Sequence, residues 1–116
     1  MSRITEVRVV PFTFEVTDLG LGAHAAMGVS NLQYQKGASL KVMRYAVRLR
    51  TDDGLAGEYV THWVGTHSAL GQTNMIAPHL LGRDPEDREG IYDDLKRELR
   101  AYDGMGHGPL DIALWD

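Results

Sequence analysis

The chain has 116 residues, of which 43% are hydrophobic and 24% charged, as is usual for a single folded domain and unusual for a disordered chain. Its formal net charge of −4 argues against a nucleic-acid partner, because such proteins carry a basic surface. The absence of cysteine excludes a disulfide framework, a thiolate metal site and a cysteine nucleophile. With no apolar run of the roughly 20 residues that a membrane span needs, and no signal-peptide pattern, we expect a cytoplasmic protein without a membrane partner.

Alternating apolar residues predict the strands of a small antiparallel sheet. Residues 4–16 favour a first strand, in which Pro11 marks either an edge position or a bulge. A period of two runs from Met43 to Leu49, and Thr51-Asp52-Asp53-Gly54 is typical of a tight turn. We therefore predict a hairpin over residues 41–60.

The second half of the chain predicts helices. A first helix is expected over residues 67–77 with Thr66 as its cap. A second begins with Asp84 as the cap and Pro85 as the first helical residue. Its predicted apolar stripe consists of Ile91, Tyr92, Leu95, Leu99 and Tyr102.

The last segment, residues 109–116, restarts a helix that is apolar on most sides. About two helical turns are marginal alone, so we expect the polypeptide to continue and to cover this helix. The glycines between residues 104 and 108 are interpreted as a helix stop and turn, and His107 as a candidate interface contact.

Several pieces of sequence carry a family resemblance when they are taken in order. They are Ile4-Thr5-x-Val7, Thr51-Asp52-Asp53-Gly54-Leu55-x-Gly57-Glu58, Pro78-x-Leu80-Leu81-Gly82-Arg83-Asp84-Pro85 and Leu110-Asp111-Ile112-Ala113-Leu114-Trp115-Asp116. With them the chain resembles the N-terminal capping domain of the enolase superfamily, in its mandelate racemase and muconate-lactonizing branch. The resemblance implies an α+β fold, with a three-stranded antiparallel sheet followed by a helical bundle. Residues 1–108 would be the capping domain, and residues 109–116 would start the helix leading into a β/α barrel absent from this chain.

The resemblance also implies a reaction. In the family, a barrel lysine or histidine takes a proton from the carbon next to a carboxylate, and magnesium held by three acidic residues stabilises the enediolate. No catalytic residue and no metal ligand is therefore expected in this chain. The implied partners are its own C-terminal barrel, a small carboxylate substrate and further copies in a homo-oligomer. The implied enzyme is a lyase or isomerase: an acid-sugar or hydroxy-acid dehydratase, a racemase or a cycloisomerase.

Two segments are the candidate capping loops, residues 17–37 and residues 60–67. In the first, four glycines and the lack of periodicity favour a lid, and a phosphate cradle at Gly20-x-Gly22 is the weaker alternative. In the second, an imidazole could donate to a substrate carboxylate and an indole could exclude water. The candidate substrate-capping residues are His24, Asn31, Tyr34, His62 and Trp63. The plainer interpretation of all five is ordinary loop packing.

Two further alternatives stay open. Arg44, Arg48 and Arg50 share one strand face, which fits an anionic partner, a solvated surface or pairing with acidic residues. The chain could also be a free-standing α+β module that binds a small ligand or a protein through residues 17–37.

Overall fold

The structure is a computed structural model that describes residues 1–17, 37, 39–61, 66–102 and 105–116. These residues contain three strands, three α-helices and one short 3₁₀ helix. The strands form one antiparallel sheet in chain order: β1 (Ile4–Thr17), β2 (Ser39–Thr51) and β3 (Ala56–Val60). The helices are α1 (Thr66–Ile76), a 3₁₀ helix (Ala77–Leu80), α2 (Arg88–Glu98) and α3 (His107–Trp115). The predicted α+β architecture is confirmed.

The central strand β2 provides the inner face of the sheet. Tyr45, Val47 and Leu49 alternate along it and are buried with the helices, as the period of two predicts. The turn to β3 is the predicted one, and Gly54 has a φ of +91°, a conformation that only glycine adopts at low cost. This hairpin sets the position of β3 and of everything that follows it.

Pro11 lies on an edge strand, as one of the two alternatives predicted. The bulge alternative is wrong, because the register irregularity lies between Ile4 and Glu6 and pairing then continues without a shift to Thr17. Since β1 pairs only with β2, the missing N–H of Pro11 leaves the sheet intact.

The unbroken register places the apolar residues of β1 on both faces of the sheet. Val7 and Val9 pack against the core, whereas Phe12 and Phe14 lie on the opposite face and stay partly exposed. The guanidinium of Arg44 lies over the Phe14 ring, 5.3 Å from its centroid. This contact partly covers the Phe14 ring on the face opposite the core.

The predicted start of the second helix is wrong by three residues. A side-chain oxygen of Asp84 accepts from the N–H of Glu86 at 2.9 Å, which closes a turn around Pro85 instead of opening a helix. The cap is Asp87, whose carboxylate accepts from the N–H of Gly90 at 3.2 Å, and α2 begins at Arg88.

The predicted stripe of α2 is only partly buried. Ile91, Leu95 and Leu99 are in the core, but Tyr92 and Tyr102 are exposed, so the stripe is narrower than predicted. Two of these buried residues, Ile91 and Leu95, lie within the eleven-residue helix, and Leu99 is the cap residue just after it.

The helix α1 begins at its predicted cap, Thr66, and ends at Ile76, where the 3₁₀ helix takes over. The last helix, α3, begins at His107, two residues before the predicted start, so Gly108 is helical. The prediction that all the glycines between 104 and 108 break the chain is therefore wrong for Gly108.

The helix α3 packs on β3 with unusually little space. Leu110, Ala113 and Leu114 are buried, whereas Ile112 and Trp115 are exposed. A Cβ atom built on Gly57 of β3 would lie 2.0 Å from the carbonyl oxygen of Ala113. The glycine in the Leu55-x-Gly57-Glu58 piece is therefore the residue that lets helix and strand approach.

Candidate functional site

The five predicted capping residues all lie outside the described residues. They are His24, Asn31 and Tyr34, in residues 18–36, and His62 and Trp63, in residues 62–65. The structure does describe the elements that flank these two segments, which are the three strands and α1.

The strands that precede the two segments, β1 and β3, run toward the same end of the sheet, but β3 stops about halfway along β2. Thr17, the last residue of β1, pairs with Ser39, the first residue of β2. Because β3 is antiparallel to β2, its last residue, Val60, is directed toward that end too, and pairs with Ala46. The two points of departure are seven residues apart along β2, which is about 23 Å at roughly 3.3 Å per residue.

A reciprocal pair of hydrogen bonds holds the chain just before residues 62–65. The N–H of Thr61 donates to the carbonyl oxygen of Tyr45 at 3.0 Å. The N–H of Tyr45 donates to the side-chain oxygen of Thr61 at 3.1 Å. Thr61 is buried, so both bonds are made away from water, where an unpaired backbone group would be costly.

The same tyrosine begins a buried polar chain that ends at α3. Thr73 donates to the carbonyl oxygen of Gly106 at 2.8 Å, so its single hydroxyl proton is used there. The Tyr45 hydroxyl, 2.8 Å away, therefore donates to the Thr73 oxygen. Burial raises the pKa of Tyr45, which keeps the phenol protonated for this role.

Gly106 packs directly against α1. Its N–H donates to the Gln72 side chain at 2.9 Å. A Cβ atom there would lie 2.3 Å from the Gln72 Cβ and 2.5 Å from the Thr73 nitrogen. The segment before α3 is thus fixed to α1 by polar contacts that only a glycine permits.

Sequence reasoning missed this network. Gly106 looked like a helix stop, and Thr73 carried no pattern at all. One signal was present: Thr73 lies three residues before Ile76, on the inward side of the predicted helix, where a polar residue needs a partner.

The arginines of β2 do not form one basic site. Arg48 pairs with Glu58 of β3 at 2.7 Å, Arg44 covers Phe14, and Arg50 is exposed. The backbone N–H of Glu58 also donates to the carboxylate of Asp116, the residue just after α3, at 3.0 Å. Pairing with an acidic residue, one of the three predicted alternatives, thus applies to Arg48.

No group of three or more His, Asp or Glu side chains within the described residues is arranged to hold a metal ion. Among those same residues, no helix has the length and apolar character to cross a membrane.

Solved structures resemble this chain over almost its whole length. An L-talarate/galactarate dehydratase from Salmonella typhimurium LT2 is 25% identical, with a TM-score of 0.72 over 98% of this chain. An L-talarate dehydratase from Polaromonas sp. JS666 is 22% identical, with a TM-score of 0.68 over 99%. A member of the enolase superfamily from Roseovarius nubinhibens ISM is 21% identical, with a TM-score of 0.65 over 100%. At these last two identities the likeness concerns the fold alone.

The chain spans only part of these proteins. It covers 29% of the Salmonella protein, 31% of the Polaromonas protein and 28% of the Roseovarius protein. No family model matches the sequence, and no curated protein matches it either.

Proposed function

We propose, from the fold that this chain shares with the N-terminal domain of the enolase superfamily, that it is the substrate-capping part of an enzyme of that superfamily. The proposed enzyme abstracts a proton next to a substrate carboxylate, as a dehydratase, racemase or cycloisomerase. The chain contributes the cover of the substrate pocket, and the barrel that completes the enzyme contributes the chemistry. Without that barrel, the chain is proposed to be inactive.

One observation carries the capping role: the strands that precede the two segments with all five candidate residues run toward the same end of the sheet. Residues from two separate segments can therefore act on one ligand placed beyond that end. A cover of this kind excludes water, which strengthens electrostatic contacts with a charged substrate. His62 is proposed to donate a hydrogen bond to the substrate, and Trp63 to exclude water.

The fixed framework supports the same role. Thr61 and Thr66 flank residues 62–65, and both are buried. Thr61 is bonded to Tyr45, whose hydroxyl is bonded in turn to α1. The residues on both sides of the second candidate segment are therefore fixed by buried contacts, as the proposed cover requires.

Magnesium is proposed for the complete enzyme and not for this chain. The described residues do not provide a metal-binding group, so they do not fit that ion. The proposal places the magnesium ligands and the general base on residues of the barrel and gives this chain no step that involves the metal.

The substrate class follows from the neighbours by analogy. Two of the structures with this fold are of dehydratases that act on talarate or galactarate, which are acid sugars. We propose a small carboxylate of this class, an acid sugar or hydroxy acid, and a homo-oligomer as the form of the enzyme.

The test uses the intact protein with magnesium and a panel of acid sugars and 2-hydroxy acids in D₂O. Proton NMR would follow both product formation and loss of the signal from the proton next to the carboxylate. Exchange or turnover with at least one compound is expected. Saturable binding without exchange or turnover would instead favour the free-standing binding module.

The capping residues are then tested on the best compound. His62→Ala is expected to lower kcat/KM roughly 10- to 100-fold, the effect of losing one hydrogen bond to a charged group. His79→Ala is the matched control, because His79 is exposed and lies outside both candidate capping segments. Equal kcat/KM values for the two variants would contradict a substrate contact at His62.

A further inference from the structure

His107 is buried at the first position of α3 and is used by nothing in the proposed function. Its side chain packs against Tyr92 of α2, with the ring centroids 4.6 Å apart. It is 8% exposed, and its Nε2 atom is buried without a hydrogen-bond partner. A buried polar atom that lacks a partner is uncommon in folded proteins and calls for an explanation.

The surroundings favour the neutral imidazole. Burial is the largest influence and lowers the pKa of His107, because the charged form loses its hydration. The Asp111 carboxylate opposes this shift, while the Lys96 ammonium adds to it. The Tyr92 ring of α2 also contacts it, and the two α1 residues that bond to the adjacent Gly106, Gln72 and Thr73, are uncharged.

The position of His107 at the start of its helix also favours the neutral imidazole. The first turn of a helix carries a partial positive charge, which disfavours a second positive charge there. In the charged form Nε2 necessarily carries a proton, and no described neighbour accepts it. The charged form therefore fits this site poorly on three counts: burial, the helix end and the missing acceptor.

A movement of His107 would disturb the contacts of Gly106, the residue just before it. Gly106 holds the start of α3 on α1 through the bonds to Gln72 and Thr73, in a space too small for a Cβ atom. Farther along α3, Leu110 and Ala113 are fully buried in the hydrophobic core. A movement at His107 would therefore loosen the first turn of α3 and leave the rest seated.

We propose that His107 is a pH-sensitive latch between α2 and the start of α3, closed when neutral and opened by protonation. The unfolded chain binds this proton more readily than the folded one, since the folded-state pKa lies below the ordinary value. The stabilisation is therefore complete above the ordinary histidine pKa of about 6.5 and is lost as the pH falls through the folded-state pKa. The latch concerns the fold and does not depend on the proposed reaction.

The test is amide hydrogen exchange of the intact protein between pH 7.5 and 5, corrected for the intrinsic pH dependence of exchange. The corrected exchange rates of the amides in the first turns of α3 are expected to rise as the pH falls. The rise is at most tenfold per pH unit, because the opening is linked to the binding of one proton. Amides of α2 around Leu95 serve as the internal reference.

Two variants make the test specific. His107→Phe keeps a ring against Tyr92 but cannot titrate, so its α3 exchange is expected to be independent of pH. His79→Gln is the control, because His79 is exposed, and it should keep the pH dependence of the parent. Should His107→Phe fail to fold, the imidazole signals of the parent protein are titrated by NMR instead. A His107 titration at or above the ordinary pKa, or an α3 exchange that does not change with pH, would overturn the proposal.

Discussion

Adding a single methyl group at Gly57 tests the close contact between β3 and α3. The methyl group would meet the backbone of Ala113, which cannot rotate away as a side chain can. In Gly57→Ala the new Cβ would lie 2.0 Å from the Ala113 carbonyl oxygen, whereas ordinary contact begins at 3.4 Å. Strand β3 and helix α3 would have to separate by about 1.4 Å. Overpacking of this kind costs about 1–3 kcal/mol. Loss of the bond from Glu58 to Asp116 adds about 1 kcal/mol, so we expect a total near 3 kcal/mol.

The assay is urea unfolding of the intact protein followed by far-ultraviolet circular dichroism. Gly71→Ala is the matched control, since it adds the same methyl group on an exposed side of α1 with no atom within 4 Å. That variant should gain about 0.5–1 kcal/mol, because alanine favours the helix. Urea midpoints that do not differ between the two variants would refute the reasoning, because they would mean that β3 and α3 are free to move apart.

Two other changes test the polar contacts by the same unfolding assay. Tyr45→Phe removes the donor to Thr73 and should cost about 1 kcal/mol, while Tyr102→Phe, at an exposed ring, should cost nothing measurable. Equal losses would show that the buried hydroxyl contributes no net stability. Asp87→Ala removes the cap of α2 and should cost about 1 kcal/mol, against less than about 0.5 kcal/mol for Asp93→Ala on the exposed side of the same helix. If Asp87→Ala were as stable as the parent, the helix would not depend on its cap.

The strands could be predicted because their signals are local. The alternation from Met43 to Leu49 decides which side chains are buried, and the Asp-Asp-Gly turn decides where β3 starts. Pro11 shows the limit of such signals. Its missing N–H fits an edge strand and a bulge equally well, and only the pairing partner decides between them.

The start of α2 could not be predicted because two aspartates compete for the same role. Asp84 and Asp87 both precede a helical sequence, and Pro85 favours the first. In the folded chain the Asp84 carboxylate is already bonded to the N–H of Glu86, so the helix begins three residues later. The two candidates differ in a hydrogen bond that propensities do not describe.

The framework of the candidate site follows from long-range contacts that no spacing in the sequence encodes. Thr73 and Gly106 are 33 residues apart, and neither carries a motif. Their pairing becomes necessary only when α3 returns to α1 and buries both polar groups, each of which then needs a partner. Tyr45 adds its hydroxyl to the same network and its backbone to Thr61, next to residues 62–65. One buried residue of β2 thus joins α1, through its hydroxyl, to the chain just before residues 62–65, through its backbone.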